Sequence, residues 1–278
     1  MNQQVRPQHD QRFSDLIRSR TGIQLPVHRR QMIESRLRPR INALGAKGFE
    51  AYLVQLFEHG LLDQELPLVI DLLTTNKTDF YREATHFDFL VQEALPEAIR
   101  RAGAQQPRLK IWSAASSEGA EAYTTAIVLS EAQRAGQRFT YAILGTDISQ
   151  RMLERARRAV YTQEQLAPVP AELRARYTMQ GRPPAHAGTA RIVPELRDRV
   201  QFLHLNLMDS TYPVDRDVDV IFLRNVLIYF GPEDQAAVVS RMVSHLRPGG
   251  HLIVGHSESM VVSHPQMTQH SPSIFRKT

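Results

Sequence analysis

Residues 108–134 read RLKIWSAASSEGAEAYTTAIVLSEAQR. An apolar run carrying Ile111 and Trp112 is followed by five small or polar residues, and a helical pattern starts near Gly119. This is a strand, a tight loop and a helix, the opening unit of an α/β sheet. The same grammar recurs downstream. FTYAILGTDIS and VQFLHLNLM read as strands, as does DVDVIFLRNVLIYF, and HLIVGHSE reads as another. QRMLERARRAV reads as a helix, and so does PEDQAAVVSRMVSHLRPGG, which Pro-Gly-Gly closes. Alternating strands and helices predict a doubly wound parallel sheet. Residues 160–202 break the alternation: they are rich in Pro and Gly and hold short β runs, ARYTMQG and TARIV, which predicts an inserted antiparallel β-subdomain.

Upstream of the sheet, residues 10–73 carry helical periodicity and no strand signal. Phe13, Leu16 and Ile17 share one helix face, and Ile33, Leu37, Ile41 and Leu44 share the next. Pro39 lies inside that second pattern, and its missing N–H predicts a kink or a split. The expected organisation is a small all-α domain over 1–75, a linker over 76–95 and a sheet domain over 96–278. The β-insert falls at about 161–204.

The 278 residues suit this division, and 42% hydrophobic content can fill two cores. The absence of cysteine excludes a disulfide scaffold, a thiolate nucleophile and Cys-ligated metal or iron–sulfur sites. The polar amino terminus lacks a signal-peptide core, and no apolar run approaches the ~20 residues that span a bilayer. A cytoplasmic protein with no membrane insertion is expected. The net charge of +5 hints at nucleic acid, but residues 1–50 hold ten Lys/Arg against four Asp/Glu, and the remainder is nearly neutral.

Ligands of a doubly wound sheet bind beyond the carboxyl ends of the strands. The loop after Trp112 lacks the G-x-G-x-x-G pattern that cradles pyrophosphate, so a phosphate-free adenosine ligand such as S-adenosylmethionine (SAM) fits better than NAD. Glu121, in the first helical turn, can accept from an ammonium group; it can equally serve as a favourable helix-start charge. Asp147, ending ILGTD, can accept both ribose hydroxyls or cap the next helix, a role open to Ser149 as well. Asn206 and Asn225 sit at strand ends in apolar surroundings, where an amide must bond a ligand or the local turn. Tyr229 follows Asn225 by four residues. TTNKTDFYREATHF, at the junction of the two domains, sets Asn76, Thr78, Arg82 and Glu83 beside two aromatics, and an arginine in such a cleft suits a carboxylate. His251 and His256 lie along one strand without a metal-binding spacing, so no metal is expected. Ser257 lacks the G-x-S-x-G context of a nucleophile.

These segments, in order and over nearly the whole chain, resemble the chemotaxis receptor glutamate methyltransferases, the CheR family. TTNKTDFYREATHF is similar to the family's T-x-N-x-T-x-F-F-R-E-x-x-H-F linker, and IWSAASSEGAEAY to its W-S-A-A-x-x-x-G-x-E-x-Y loop. GTDIS, NLMD, FLRNVLIYF and LRPGGHLIVGHSE match later motifs. Tyr81 replaces the usual second Phe, and Glu118 and Ala120 depart from the usual first loop. The resemblance implies a Rossmann-like SAM-dependent methyltransferase sheet. Its activity would be methylation of glutamate side chains on the cytoplasmic helices of chemoreceptors, giving methyl esters and S-adenosylhomocysteine in chemotactic adaptation. Asn76, Thr78 and Arg82 would contact the methionine end of SAM, Glu121 would hold the cofactor and Asp147 the ribose. Asn206 with Leu207, and Asn225 with Val226, would line the adenine and methionine sides. Arg82 and Tyr229 would flank the transferring methyl. Arg29, Arg36 and Arg40, beside the Ile33/Leu37 stripe, would dock on acidic receptor helices, and the loop MQGRPPAHAG of the β-insert would suit a receptor carboxyl-terminal peptide. Three other readings compete. A nucleic-acid methyltransferase lacks an N/D-P-P-Y/F motif. A non-enzymatic SAM-responsive adaptor would not require Arg82 and Tyr229. An NAD dehydrogenase lacks its glycine fingerprint.

Overall fold

The computed structural model describes residues 6–25, 30–181 and 187–278. Helices α1 (Arg6–Thr21), α2 (Arg30–Ala43), α3 (Phe49–Glu58) and α4 (Leu62–Leu73) form the amino-terminal domain. Each shows one apolar stripe to the others. Phe13, Ile17, Ile33, Leu37, Tyr52, Leu53 and Leu56 are all buried in one core, with Phe13 edge-to-face on Phe49. Pro39 does not split α2, which runs as one helix to Ala43. Buried Ile41, one position beyond Pro39's neighbour Arg40, anchors the last turn in the core, so packing outweighs the lost backbone bond there.

The linker ends in helical structure: α5 (Thr85–Phe89), a π-turn (Leu90–Ala94) and α6 (Leu95–Ala102) follow without a break. The sheet domain then runs β1 (Arg108–Ala114), α7 (Ala120–Arg134), β2 (Thr140–Asp147) and α8 (Gln150–Arg158). Next come β3 (Val160–Thr162), α9 (Ala171–Tyr177), β4 (Thr178–Gln180), β5 (Thr189–Ile192) and α10 (Pro194–Arg197). The chain closes with β6 (Val200–His204), β7 (Val218–Leu223), α11 (Pro232–His245), β8 (Leu246–Val254), β9 (Met267–Ser271) and β10 (Ile274–Lys277).

Seven strands form one sheet in the order β6-β2-β1-β7-β8-β10-β9, with β6 through β8 parallel and β10 antiparallel to its neighbours. The six residues of central β7, VDVIFL, are all buried, as a strand covered by helices on both faces requires. The order reverses direction at β1, between β2 and β7, and this places a ligand crevice beyond the carboxyl ends of these strands.

Three boundaries differ from the sequence reading. The antiparallel sheet β3-β5-β4 ends at Ile192, and Val200–His204 pairs with β2 in the large sheet, so the insert is shorter than 161–204. Pro248, Gly249 and Gly250 do not close a helix: α11 stops at His245 and these residues lie within β8, where the pairing with β7 shifts register. Gly249 has φ 72°, and a Cβ at Gly250 would stand 3.0 Å from the Val218 carbonyl, so the glycines serve a bulge. The hairpin β9–β10 carries little apolar alternation in its first strand, MTQHS, and was not expected. Among the described residues no helix is long and apolar enough to cross a membrane.

Candidate active site

A cleft partly open to solvent lies where the sheet order reverses. Its walls come from the linker, the β1–α7 loop, the ends of β2 and β6, and the segment after β7. Every residue expected at the cofactor site lines it: Asn76, Thr78, Arg82, Glu121, Asp147, Asn206, Leu207, Asn225, Val226 and Tyr229. The end of α1 closes the cleft through Thr21 and Ile23, which sequence reasoning missed. Two bonds hold that end in place: Asn206 donates to the Arg20 carbonyl at 2.6 Å, and the Gln24 amide donates to the Tyr229 carbonyl at 3.0 Å. Gly22, at φ 72°, sits so close to Met208 that a Cβ would fall 2.6 Å from its sulfur.

The backbone around the cleft is bent into a conformation side chains disfavour. Tyr81, Glu83, Ala115, Ser117 and Asn225 have φ between 50° and 58°. Non-glycine residues in this region cluster where a fold holds a functional loop against its preference. Asp147 fixes one such loop: its carboxylate accepts the amides of Ser117 and Ser149, each at 2.8 Å. Burial pushes its pKa up, and those two amides oppose the rise. Ser149, not Asp147, is the N-cap of α8, accepting from the Met152 amide. Asp147 therefore organises the loop and still borders the cleft with its remaining lone pairs. Glu258 fixes another: fully buried, it accepts the amides of Asn225 and Gly255 at 2.7 and 2.8 Å. Burial raises its pKa against those donors. Its sequence signal was the Glu three residues after Gly255, a helix-start pattern.

Charge in the cleft centres on Arg224, which sequence reasoning passed over. Its side chain is 3% exposed and pairs with Glu121 at 2.9 Å and Glu83 at 3.3 Å. It also donates to the Arg82 carbonyl. Glu121 further accepts from Ser113 at 2.7 Å. Burial pushes the Glu83 carboxyl up, but Arg224 and the Asn225 amide outweigh it, and the group lies below its usual range. Glu121 thus faces the cleft as one member of an ion pair rather than as a free acceptor. The Arg82 side chain, by contrast, donates to the Lys77 carbonyl at 3.2 Å and pairs with no carboxylate among the described residues. Asn206 also accepts from the Met208 amide at 3.0 Å, so the turn role and the cleft-lining role coexist.

Glu83, His86 and His256 bring potential ligand atoms within 4.8 Å of one another. The Arg224 guanidinium beside Glu83 already supplies the cation there, and burial with Arg224 pushes His86 down to about 4. The arginines expected to dock a partner are not in the cleft. Arg29 lies outside the described residues. Arg36 donates to the Leu73 carbonyl at 2.6 Å and to Thr75, bracing the linker. Arg40 makes two bonds to buried Glu65, at 2.7 and 2.6 Å, and Glu65 also accepts from Tyr52. Both guanidiniums are committed within the domain.

The cleft fits SAM on its own features. The loop has no phosphate cradle, and Glu121 in the first turn of α7 disfavours an anion there. Small residues 114–117 allow close approach, and the Ser116 hydroxyl is buried without a partner. Residues 76–275 match the family described as CheR methyltransferase, SAM binding domain, and residues 8–74 match the CheR methyltransferase, all-alpha domain. The chain is 38% identical over 251 residues to the chemotaxis protein methyltransferase of Escherichia coli K12, covering 90% of this chain and 84% of that one. It is 39% identical over 241 residues to chemotaxis protein methyltransferase 2 of Pseudomonas aeruginosa, covering 87% and 82%. To chemotaxis protein methyltransferase 1 of the same organism it is 33% identical over 272 residues, 95% of each chain. Sheet, cleft and matches together define a SAM-dependent methyltransferase with an all-α amino-terminal domain. Within that class the chain belongs to the CheR methyltransferase family.

Proposed function

We propose that this protein methylates glutamate side chains on the cytoplasmic helices of chemoreceptors, giving glutamate methyl esters. The observation that carries this reading is the pair left unspent at the cleft. Arg82 has no carboxylate partner, and the Tyr229 hydroxyl makes no hydrogen bond among the described residues, while Arg224 is paired with Glu121 and Glu83. An unspent arginine and a phenol lining one cleft suit an incoming carboxylate.

SAM supplies a methyl on a sulfonium, an activated electrophile with a neutral leaving group. A glutamate carboxylate is ionised at neutral pH, so no residue has to remove a proton. The work of the chain is therefore positioning. Arg82 would orient the carboxylate or the methionine end, and the Tyr229 hydroxyl would donate to the second carboxylate oxygen. Asn76, Thr78, Asn225 and Val226 would fix the cofactor, with Asp147 at the ribose and Asn206 and Leu207 at the adenine. Thr21, Ile23 and Phe230 exclude water from one side. Near-attack geometry of this kind contributes ~7–11 kcal/mol.

The antiparallel β3-β5-β4 sheet supports a second contact, because β3 and β4 each pair on one side only and an extended receptor peptide can add a strand there. The expected loop MQGRPPAHAG falls partly at 182–186, outside the described residues. To test the function, the protein is incubated with labelled SAM, receptor-rich membranes and DNA together. Label in the receptor supports the reading; label in the DNA, or in neither, overturns it.

A further inference from the structure

We infer that a basic groove between α4 and α8 seats an acidic amphipathic helix of the substrate beside the cleft. This rests on the receptor reading above. The groove shares Thr74, Thr75, Asn76 and Lys77 with the cofactor cleft, so the two adjoin along this segment. Arg36 and Lys77 form one wall, and Arg151 and Arg155 form the other. Asp71 and Glu118 also line it, two carboxylates against four cations. Beyond Arg151 the surface continues into a shallow hollow with Leu68 and Leu72, and Leu68 is 41% exposed. Cations followed by an apolar shelf match a helix with an acidic face and an apolar stripe.

Helix α8 explains the charge. Met152, Leu153 and Ala156 are buried against the sheet. Arg151, Arg155 and Arg158 therefore stand on the outer face at helical spacing, with Glu154 between them. Their internal contacts are loose: Arg155 is 3.6 Å from Glu118, and Arg151 reaches the Asp71 carbonyl at 3.4 Å. Both side chains are exposed and free to turn to a partner. Over the whole chain this concentration is hidden, because acidic residues elsewhere balance it. Half of the groove's positive charge thus sits on α8 of the catalytic domain, Arg36 adds to it from α2 while bonded to the Leu73 carbonyl and Thr75, and Arg40 is paired with Glu65.

The probe is a fluorescent helical fragment of a chemoreceptor cytoplasmic domain carrying a methylatable glutamate, read by anisotropy and by methyl transfer. Arg151→Glu with Arg155→Glu should weaken fragment binding about tenfold or more, raise KM equally and leave kcat, SAM affinity and the unfolding midpoint unchanged. Raising salt should weaken wild-type binding and barely move the variant. Leu68→Asp should weaken binding without flattening the salt dependence. Arg151→Gln with Arg155→Gln gives the same test with a smaller perturbation should the charge reversal unfold the protein. Unchanged binding in these variants overturns the groove, as does wild-type binding to duplex DNA tighter than to the fragment. Wild type that binds the fragment through these arginines but transfers no methyl sinks the proposed function and leaves the groove standing.

Discussion

Replacing Arg224 by methionine removes the cation around which the cleft is built. Its guanidinium lies 2.9 Å from Glu121 and 3.3 Å from Glu83, carboxylates whose side chains are only 11% and 15% exposed. At an effective dielectric near 20, each contact is worth about 5 kcal/mol of attraction. The cost of desolvating Arg224, whose Nε is buried without a partner, offsets much of that. Methionine fills similar volume against Phe87, over whose ring Arg224 now lies, so little packing is lost. The net loss should then be that of breaking a buried pair, about 3–5 kcal/mol. It also has a sign in pH. Without Arg224 the Glu83 carboxyl, which burial pushes up, loses the main charge that holds it down, so its part of the deficit is largest at high pH and shrinks as acid protonates it. Urea unfolding at pH 8 and at pH 5 measures both effects. Pairing Arg224→Met with Glu121→Gln should be less damaging than the sum of the two singles by at least about 1 kcal/mol. A loss below about 1 kcal/mol at pH 8, or additive singles, refutes the assignment of Arg224 as the organising charge.

Arg82→Ala should lower methyl transfer by about 100-fold or more, from lost alignment of the reacting groups, while the unfolding free energy in urea stays within about 0.5 kcal/mol of wild type. Among the described residues, the side-chain hydrogen bond lost is the one to the Lys77 carbonyl. Tyr229→Phe should likewise leave stability unchanged and lower kcat. His86, buried against Ser273 and held near 4, takes up its proton later than in the unfolded chain as pH falls below about 6.5. Wild type should therefore lose about 2 kcal/mol from this group between pH 7 and pH 5, a loss that His86→Gln removes in a pH series of unfolding curves. Gly145→Ala places a Cβ 2.5 Å from the Phe202 ring and should cost about 1–3 kcal/mol, with Phe202→Leu recovering part of it.

What could be read from sequence divides by range. The β1–loop–α7 unit was legible because apolar alternation, small residues and a helix start occur within 27 adjacent positions. The cleft residues were legible because a doubly wound sheet sends every strand end to one rim, so Asp147, Asn206 and Asn225 had to converge. The ambiguity between turn and ligand roles was real, since Asn206 and Asp147 each make local turn bonds and also line the cleft. Arg224 escaped because a charge after an apolar run reads as a strand boundary. Its meaning depends on Glu83 and Glu121, more than 100 residues upstream. The internal partners of Arg36 and Arg40 escaped for the same reason: a helical wheel sets both beside the Ile33/Leu37 stripe, and Glu65 and the Leu73 carbonyl meet them there from distant sequence. Pro39 misled because local propensity was weighed without the core that holds Ile41.

The central claim is that this cleft transfers a methyl to a glutamate carboxylate. Receptor incubated with the protein and labelled SAM should carry one added methyl on a glutamate side chain, located by peptide mass spectrometry, and mild alkali should release all of the label as methanol. Label that resists alkali, or that maps to lysine, arginine or a backbone amide, would contradict the account.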